Sequence, residues 1–480
     1  MGKGTTLAIE VRPEAREPVF LALARTIVQE IERGRLKPGD PLPGTRALSR
    51  TLKLNRNTVD AAYHELAMQG WLVTEPSRGT FVATDLPDMA MHPQPVRPAG
   101  KQTTPVRTAE RVLLRLSDGS PDVRLVPTTA FAQAFRRALA SAAFTSAGTY
   151  GDPRGNSKLR DALSSYLRDE RGLTAAASEI LVTRGSQMAL FLAASAVADP
   201  GSLIAVERPG YPLAWSAFRA AGADVLGVPV DAGGINVDAL EKIARTNGRL
   251  RAIYVTPHHQ YPTTVTMGVA RRLRLLDVAR RFGLVIIEDD YDNEYRFDGR
   301  PILPLAARAE SDLPIIYLGS LSKLLAPGIR LGYAVAPPQI LIQMADRREA
   351  LDRQGDLPLE HALADLVEDG TIKRHARKAR RVYHARRDLM ARLLRERLSE
   401  DAQFALPAGG LAIWLRLNDG LSAETWAASA AKLGLSVMPG IHFDLETVKP
   451  AEAFRLGFAG LDEHELTRAI DIFERSKPSR

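Results

Sequence analysis

IIYLGSLSKLLAPGIRLGY, residues 315–333, decides how the rest of the chain is read. Its opening, Ile315 to Leu318, is an apolar run of the kind that makes a buried strand. The run leads into Gly319, Ser320, Ser322 and Lys323, with Arg330 farther on. A lysine leaving a buried strand is costly: an ammonium taken out of water is neutralised, paired or covalently engaged. A Schiff base with an aldehyde requires such an amine, and serine hydroxyls with a guanidinium suit a phosphate. An aldehyde and a phosphate on one molecule describe pyridoxal phosphate (PLP). The pattern SxSK alone also fits a surface lysine in a serine-rich turn, so the choice rests on the remainder of the chain.

Working outward, EILVT (179–183), LIAVE (203–207), DVLGVPV (224–230), RAIYVTP (251–257), LVIIEDD (284–290) and LGYAVAP (331–337) are also strand-like, with helical patterns between them. Near-continuous apolar strands alternating with helices predict an α/β fold with a mostly parallel sheet covered on both faces. Ligands of such sheets bind at the carboxyl ends of strands. At those ends stand Gly185, Ser186 and Gln187, then Tyr211, His259 and Tyr261, Asp289 and Tyr291, and Lys323. Gly185 and Ser186 open an apolar helix whose N-terminus can take a phosphate. A carboxylate at Asp289 can keep a pyridine nitrogen protonated, which makes the ring an electron sink. Tyr291 can donate to the ring's phenolic oxygen, and Tyr211 can stack on its face. Singly, Asp289 reads as part of a solvated acidic turn and Tyr211 as core; with Lys323 and Arg330 they read as one cofactor site.

Residues 1–84 follow another pattern. Val19, Leu23, Ile27 and Ile31 recur every four residues within 18–33 and predict an amphipathic helix that ends at Gly34. Helices are expected from about Gly44 to Leu52 and from about Asn57 to Gln69, the latter capped by Asn55 or Asn57. WLVTEPSRGTFVA reads as two strands joined by a turn with Pro76 and Gly79. Three helices and a hairpin make a winged helix-turn-helix. Arg46 opens one helix, and Asn55, Arg56, Asn57 and Thr58 crowd the start of the next, where side chains and backbone N–H groups reach phosphates and base edges. Ser77, Arg78 and Gly79 form the wing tip. The same residues also fit ordinary caps and a solvated turn, because acids nearly balance bases here.

Residues 85–114 hold five prolines and little periodic apolar content, which reads as a spacer between domains 1–84 and 115–480. Its length lets the small module lie away from its own large domain, on a partner subunit. With 480 residues, 45% apolar and 25% charged, the chain is long enough for a large core and a small one. A net charge of +8 permits an acidic partner such as nucleic acid without requiring one. Zero cysteines exclude disulfides and thiolate metal sites. Nowhere do about eighteen apolar residues run together, so no membrane span is expected and a soluble, cytoplasmic protein is. The stretch KRHARKARRVYHARR (373–387) carries eight basic residues and no acid. It reads as a solvated helix with Ala376, Ala379, Val382 and Tyr383 on its packed side, or as a further DNA-contacting surface.

Residues 18–84 resemble the GntR-type DNA-binding domain through G-x-L-x-P-G-D-x-L-P-x-x-R-x-L (Gly34 to Leu48), N-R-N-T-V (Asn55 to Val59), A-Y-x-x-L, G-W-L and R-G-T-F-V. The resemblance places DNA contacts on Arg46, Arg56, Thr58 and Gly79; Asn55 stands where the family often has Ser. Residues 115–480 resemble fold type I aminotransferases through YGDPRGNSKLRDAL (150–163), TRGSQMAL (183–190), ERPGY (207–211), TPHHQYPT (256–263), IEDDYDNEY (287–295), GSLSKLLAPGIRLGY (319–333) and FRLGF (454–458). Joined, the two resemble MocR-type transcription regulators. That likeness implies Lys323 as the lysine that condenses with PLP, Asp289 on the pyridine nitrogen and Tyr291 on the phenolic oxygen. It implies Ser186, Gln187, Ser320, Ser322 and Arg330 on the phosphate, Tyr150 on the phosphate of a neighbouring subunit, and Arg455 on an effector carboxylate. Where aminotransferases carry Asn-Pro-Thr-Gly, this chain has Tyr261-Pro262-Thr263-Thr264, which weakens the case for turnover more than for binding. The expectation is a homodimeric, double-stranded-DNA-binding regulator that senses PLP or an amino compound exchanging with Lys323. The alternative is a working aminotransferase with an appended DNA-binding module.

Overall fold

The computed structural model describes residues 9, 11, 18–75, 78–84, 86, 114–116, 119–145, 148, 150–299, 302–308, 312–445 and 451–478. The chain divides into two compact units, Met1–Val106 and Arg107–Arg480. Apart from Leu86 and Leu114, the expected spacer 85–114 lies outside the described residues.

In the first unit α1 (Val19–Glu32), α2 (Thr45–Leu52) and α3 (Arg56–Met68) precede an antiparallel hairpin of β1 (Leu72–Glu75) and β2 (Gly79–Val82). The four-residue spacing of α1 buries Leu23, Ile27 and Ile31, and α3 answers with Val59, Ala62 and Leu66. Asn55, not Asn57, caps α3: its side chain accepts the backbone N–H of Asn57 at 2.9 Å. A cap of this kind is worth about 1 kcal/mol. Tyr63 donates to the Pro43 carbonyl at 2.8 Å and ties α3 to the loop before α2. In the wing, Pro76 and Ser77 lie outside the described residues, while Arg78 pairs with Glu75 at 2.6 Å. Gly79 has φ +114°, a backbone that L side chains adopt only with strain.

The second unit opens with β3 (Leu114–Arg115), α4 (Thr128–Ala140), α5 (Ala142–Thr145) and α6 (Ser157–Arg171). Strands and helices then alternate through β4 (Ile180–Thr183), α7 (Ser186–Val197), β5 (Leu203–Arg208), α8 (Pro212–Ala220), β6 (Asp224–Asp231) and β7 (Gly234–Ile235). They continue through α9 (Val237–Thr246), β8 (Leu250–Val255), α10 (Val269–Arg281), β9 (Val285–Asp290), β10 (Ile315–Ser320) and β11 (Gly332–Val335). One eight-stranded sheet results, ordered β4-β11-β10-β9-β8-β5-β6-β7. Neighbours from β10 through β6 are parallel, and β11 is antiparallel to both strands beside it. Residues alternate between the two faces. Ile287, Ile316 and Leu318 enter one core with Leu190 and Phe218, while Ile286, Ile315 and Ile253 enter the other with Leu275.

Helices α11 (Pro338–Asp352), α12 (Leu357–Glu368) and α13 (Thr371–Leu398) lead to a small antiparallel sheet of Ala402–Gln403, Ala412–Leu417, Met438–Pro439 and Ala453–Gly457. The basic stretch 373–387 lies within α13, and the expectation that its charges are solvated needs correction at its C-terminal end. Arg386 and Arg387 are buried. Arg386 donates to Asp122 at 2.9 Å, and Arg387 to Asp298 and, at 2.8 Å, to the Pro407 carbonyl. A guanidinium is tolerated inside a protein when acceptors surround it. Ala379 and Tyr383 do form the packed side, with Ala376 and Val382 partly buried beside them.

Candidate functional site

The acidic run at the end of β9 is not a solvated turn, because strand alternation sends its carboxylates to opposite faces, where each is buried. Glu288 accepts the backbone N–H groups of Leu305 and Ala306 at 2.8 and 2.9 Å. Asp290 meets His258 at 3.0 Å and the Tyr317 hydroxyl at 2.6 Å. Burial would raise the Asp290 carboxyl, but His258, Arg171 and Tyr317 outweigh it and hold it well below the usual carboxylate range. Asp289 faces the other way. Its Oδ2 accepts the Tyr254 hydroxyl at 2.9 Å, and its Oδ1 is sealed from solvent without a partner among the described residues. Burial, with repulsion from Asp290 and Asp292, pushes its carboxyl up to about 7 against the pull of Tyr254 and Lys323.

Asp289 lines a cavity of about 550 Å³ together with Ser186, Tyr211, Tyr261, Tyr291, Ser320, Ser322, Lys323 and Arg330. At one end the backbone is drawn tight. Gly185 (φ +78°) precedes α7, and a Cβ there would stand 3.1 Å from the Arg330 guanidinium, so glycine lets that cation lie on the helix entrance. A Cβ on Gly319 would fall 2.2 to 2.6 Å from the Tyr333 ring, which closes β10 onto β11. The N-terminus of α7, the Ser186, Ser320 and Ser322 hydroxyls and Arg330 thus line one cavity, and Ser322 Oγ is buried without a partner among the described residues. Helix N–H groups, hydroxyls and a guanidinium are the donor set a phosphate requires.

Four residues expected at the site stand apart from the cavity wall. Gln187 turns its amide to the Leu213 carbonyl at 2.7 Å, and His259 is buried against Asp292 at 2.7 Å. Tyr150 is 70% exposed, with the Arg353 guanidinium 4.9 Å from its ring. Arg455 is 1% exposed; it donates to the Pro262 carbonyl at 2.9 Å and lies 4.3 Å from the centroid of the Tyr261 ring, which does line the cavity. Tyr291 donates to the His259 carbonyl at 3.0 Å. Sequence reasoning missed Tyr254 and the buried Glu207, which accepts the Thr256 hydroxyl at 2.5 Å and which burial pushes up to about 7. A tyrosine inside a buried strand needs a partner for its hydroxyl, and that was the available signal.

Comparison with known proteins accords with this geometry. Residues 111–473 match the family model for aminotransferase class I and II, and residues 21–82 that for bacterial regulatory proteins of the gntR family. The probable rhizopine catabolism regulatory protein MocR of Rhizobium meliloti is 31% identical over 474 residues, covering 95% of this chain and 93% of that protein. The chain belongs to the MocR-type GntR regulators. Another relative of this MocR-type chain, the pyridoxine biosynthesis transcriptional regulator PdxR of Corynebacterium glutamicum, is 33% identical over 80% of each protein. Among solved structures, LysN, an α-aminoadipate aminotransferase of Thermus thermophilus complexed with N-(5'-phosphopyridoxyl)-L-leucine, superposes with a TM-score of 0.70. It is 29% identical and covers 76% of this chain and 92% of that one. Pyridoxal phosphate is the cofactor of this fold, and the cavity fits it: a carboxylate oxygen at Asp289 and a hydroxyl at Ser322 that have no partner among the described residues, with Lys323 on the same wall. The MocR-type chain departs from the aminotransferase pattern at Thr264, which keeps a left-handed backbone (φ +64°) where the pattern has glycine. A β-branched residue there stores strain of about 1–2 kcal/mol. In the first unit Arg46, Arg56 and Gly79 are exposed and Thr58 half-buried, so the expected DNA contacts remain on the surface. No helix among the described residues is long and apolar enough to cross a membrane.

Proposed function

We propose that this MocR-type chain is a cytoplasmic, homodimeric transcription regulator. Its first unit grips operator DNA and its second senses PLP, or an amino compound that exchanges with Lys323. The observation that carries the reading is a buried Asp289 Oδ1, without a partner among the described residues, on one cavity with Lys323, in a chain that also exposes the start of α3. When bound, PLP supplies an aldehyde that condenses with primary amines and a ring that withdraws electrons. Asp289 holds a proton at the pyridine nitrogen, Tyr254 fixes that carboxylate, and Tyr211 and Tyr291 orient the ring. Ser186, Ser320, Ser322 and Arg330 bind the phosphate, and Tyr150 reaches the phosphate of the neighbouring subunit. Arg455, whose guanidinium lies 4.3 Å from the Tyr261 ring on the cavity wall, takes an effector carboxylate.

The backbone of the cofactor lysine is held from two directions. Tyr295 donates to the carbonyls of Lys323 and Leu324 at 3.2 and 3.1 Å, and His375 of α13 bonds the Leu324 carbonyl at 2.9 Å. Through the Leu324 carbonyl these bonds join the segment that carries Lys323 to α13. Signalling requires that the ligand bind the two arrangements with different affinity. The test is an electrophoretic shift on the region upstream of its own gene, with and without PLP and candidate amines. A ligand-dependent change in operator affinity is expected; an unchanged shift accompanied by sustained amino-group transfer to a keto acid would make the chain an enzyme instead.

A further inference from the structure

A second cavity, of about 750 Å³, opens between α13, the C-terminal end of α6 and the turn after β9, and shares no lining residue with the cofactor cavity. Three cations on its wall are neutralised where they stand: Arg168 by Asp169 at 3.3 Å, Arg171 by Glu294 and Lys373 by Glu170. Four more are not: Arg296, Arg377, Arg380 and Arg381 line it without a carboxylate in ion-pair reach among the described residues. Arg377, Arg380 and Arg381 stand three and four residues apart on one face of α13, a spacing at which like charges destabilise a helix. Arg296, unlike those three, is half-buried. Its Nε and Nη1 are sealed from solvent and have no acceptor among the described residues, whereas buried donors are almost always satisfied.

Arginines that line a concavity with no carboxylate in ion-pair reach among the described residues form a site whose missing component is an anion. Guanidinium forks match phosphate oxygens in pairs, and several together call for more than one negative charge. We propose that this cavity binds a small phosphorylated anion carrying at least two negative charges. Arg377, Arg380 and Arg381 are exposed but line a concavity of about 750 Å³, a volume that suits a small anion rather than a duplex.

Pyrophosphate is the probe. Full-length protein saturated with PLP, so that the phosphate cradle at Lys323 is filled, is titrated with pyrophosphate by calorimetry at constant ionic strength. Saturable binding is expected in the wild type. The pair Arg377→Ala with Arg381→Ala should weaken it by roughly tenfold or more while PLP absorbance and the melting temperature without pyrophosphate are retained. Arg296→Gln should act in the same direction. Absence of saturable heat, or equal affinity in the wild type and both variants, overturns the proposal. So does loss of non-specific duplex binding in the variants with no pyrophosphate binding in the wild type, which would assign these arginines to DNA.

Discussion

Replacing Asp289 by Asn should stabilise the cofactor-free protein and weaken its hold on the cofactor. The carboxyl ionises near 3.8 in the unfolded chain and at about 7 in the fold, chiefly because of burial. Between those values the folded protein keeps a proton that the unfolded chain has released, so the stability linked to this group is fully present below about 4 and lost as the pH rises through about 7. At about 1.4 kcal/mol per unit, the loss by pH 8 is on the order of 4 kcal/mol. Asn is neutral throughout and can still accept from Tyr254, so Asp289→Asn should melt several degrees above the wild type near pH 8 and level with it near pH 4. Glu207, also pushed up to about 7, adds a slope of the same sign, smaller in the variant because the Asp289 charge contributes to its shift. With PLP present the sign reverses. A charge-assisted hydrogen bond to the ring nitrogen is worth about 1.5–3 kcal/mol, so its loss should weaken PLP binding roughly 10- to 100-fold. Thermal scans of the cofactor-free proteins across pH, with PLP titrations by absorbance, read both effects. A variant no more stable at pH 8, or one that binds PLP as tightly as the wild type, would refute the reasoning.

Tyr254→Phe removes the donor to Asp289 Oδ2 and should weaken PLP binding by about 1 kcal/mol, roughly fivefold, in the same titration. Gly319→Ala forces a methyl group into the Tyr333 ring, and thermal scans should show a loss of about 1–3 kcal/mol. Arg56→Ala, at the exposed start of α3, should weaken operator binding by about 1–3 kcal/mol in fluorescence anisotropy and leave PLP absorbance intact; equal loss of both would indicate a folding defect.

The strands and the two-unit plan were legible because their signals are local. Ile315 to Leu318 had to be buried, and the four-residue spacing of Leu23, Ile27 and Ile31 had to face a core. That Asp289 and Lys323 share one cavity was legible too, since they leave neighbouring parallel strands at their carboxyl ends. What sequence could not supply was side-chain direction across elements. Nothing in TRGSQMAL tells that Gln187 turns to Leu213, and Tyr254 reaches Asp289 through strand pairing between segments thirty-five residues apart. The same holds for α13, where Arg386 and Arg387 find acceptors on Asp122 and Asp298, while Arg377 and Arg381, in the same basic run, find none among the described residues.

The most direct measurement is peptide mapping of the PLP-loaded protein after borohydride treatment. A phosphopyridoxyl group on the Lys323 side chain, absent after Lys323→Ala, is the predicted result. A protein that takes up no label, or carries it on another lysine while Lys323 stays unmodified, would contradict the account.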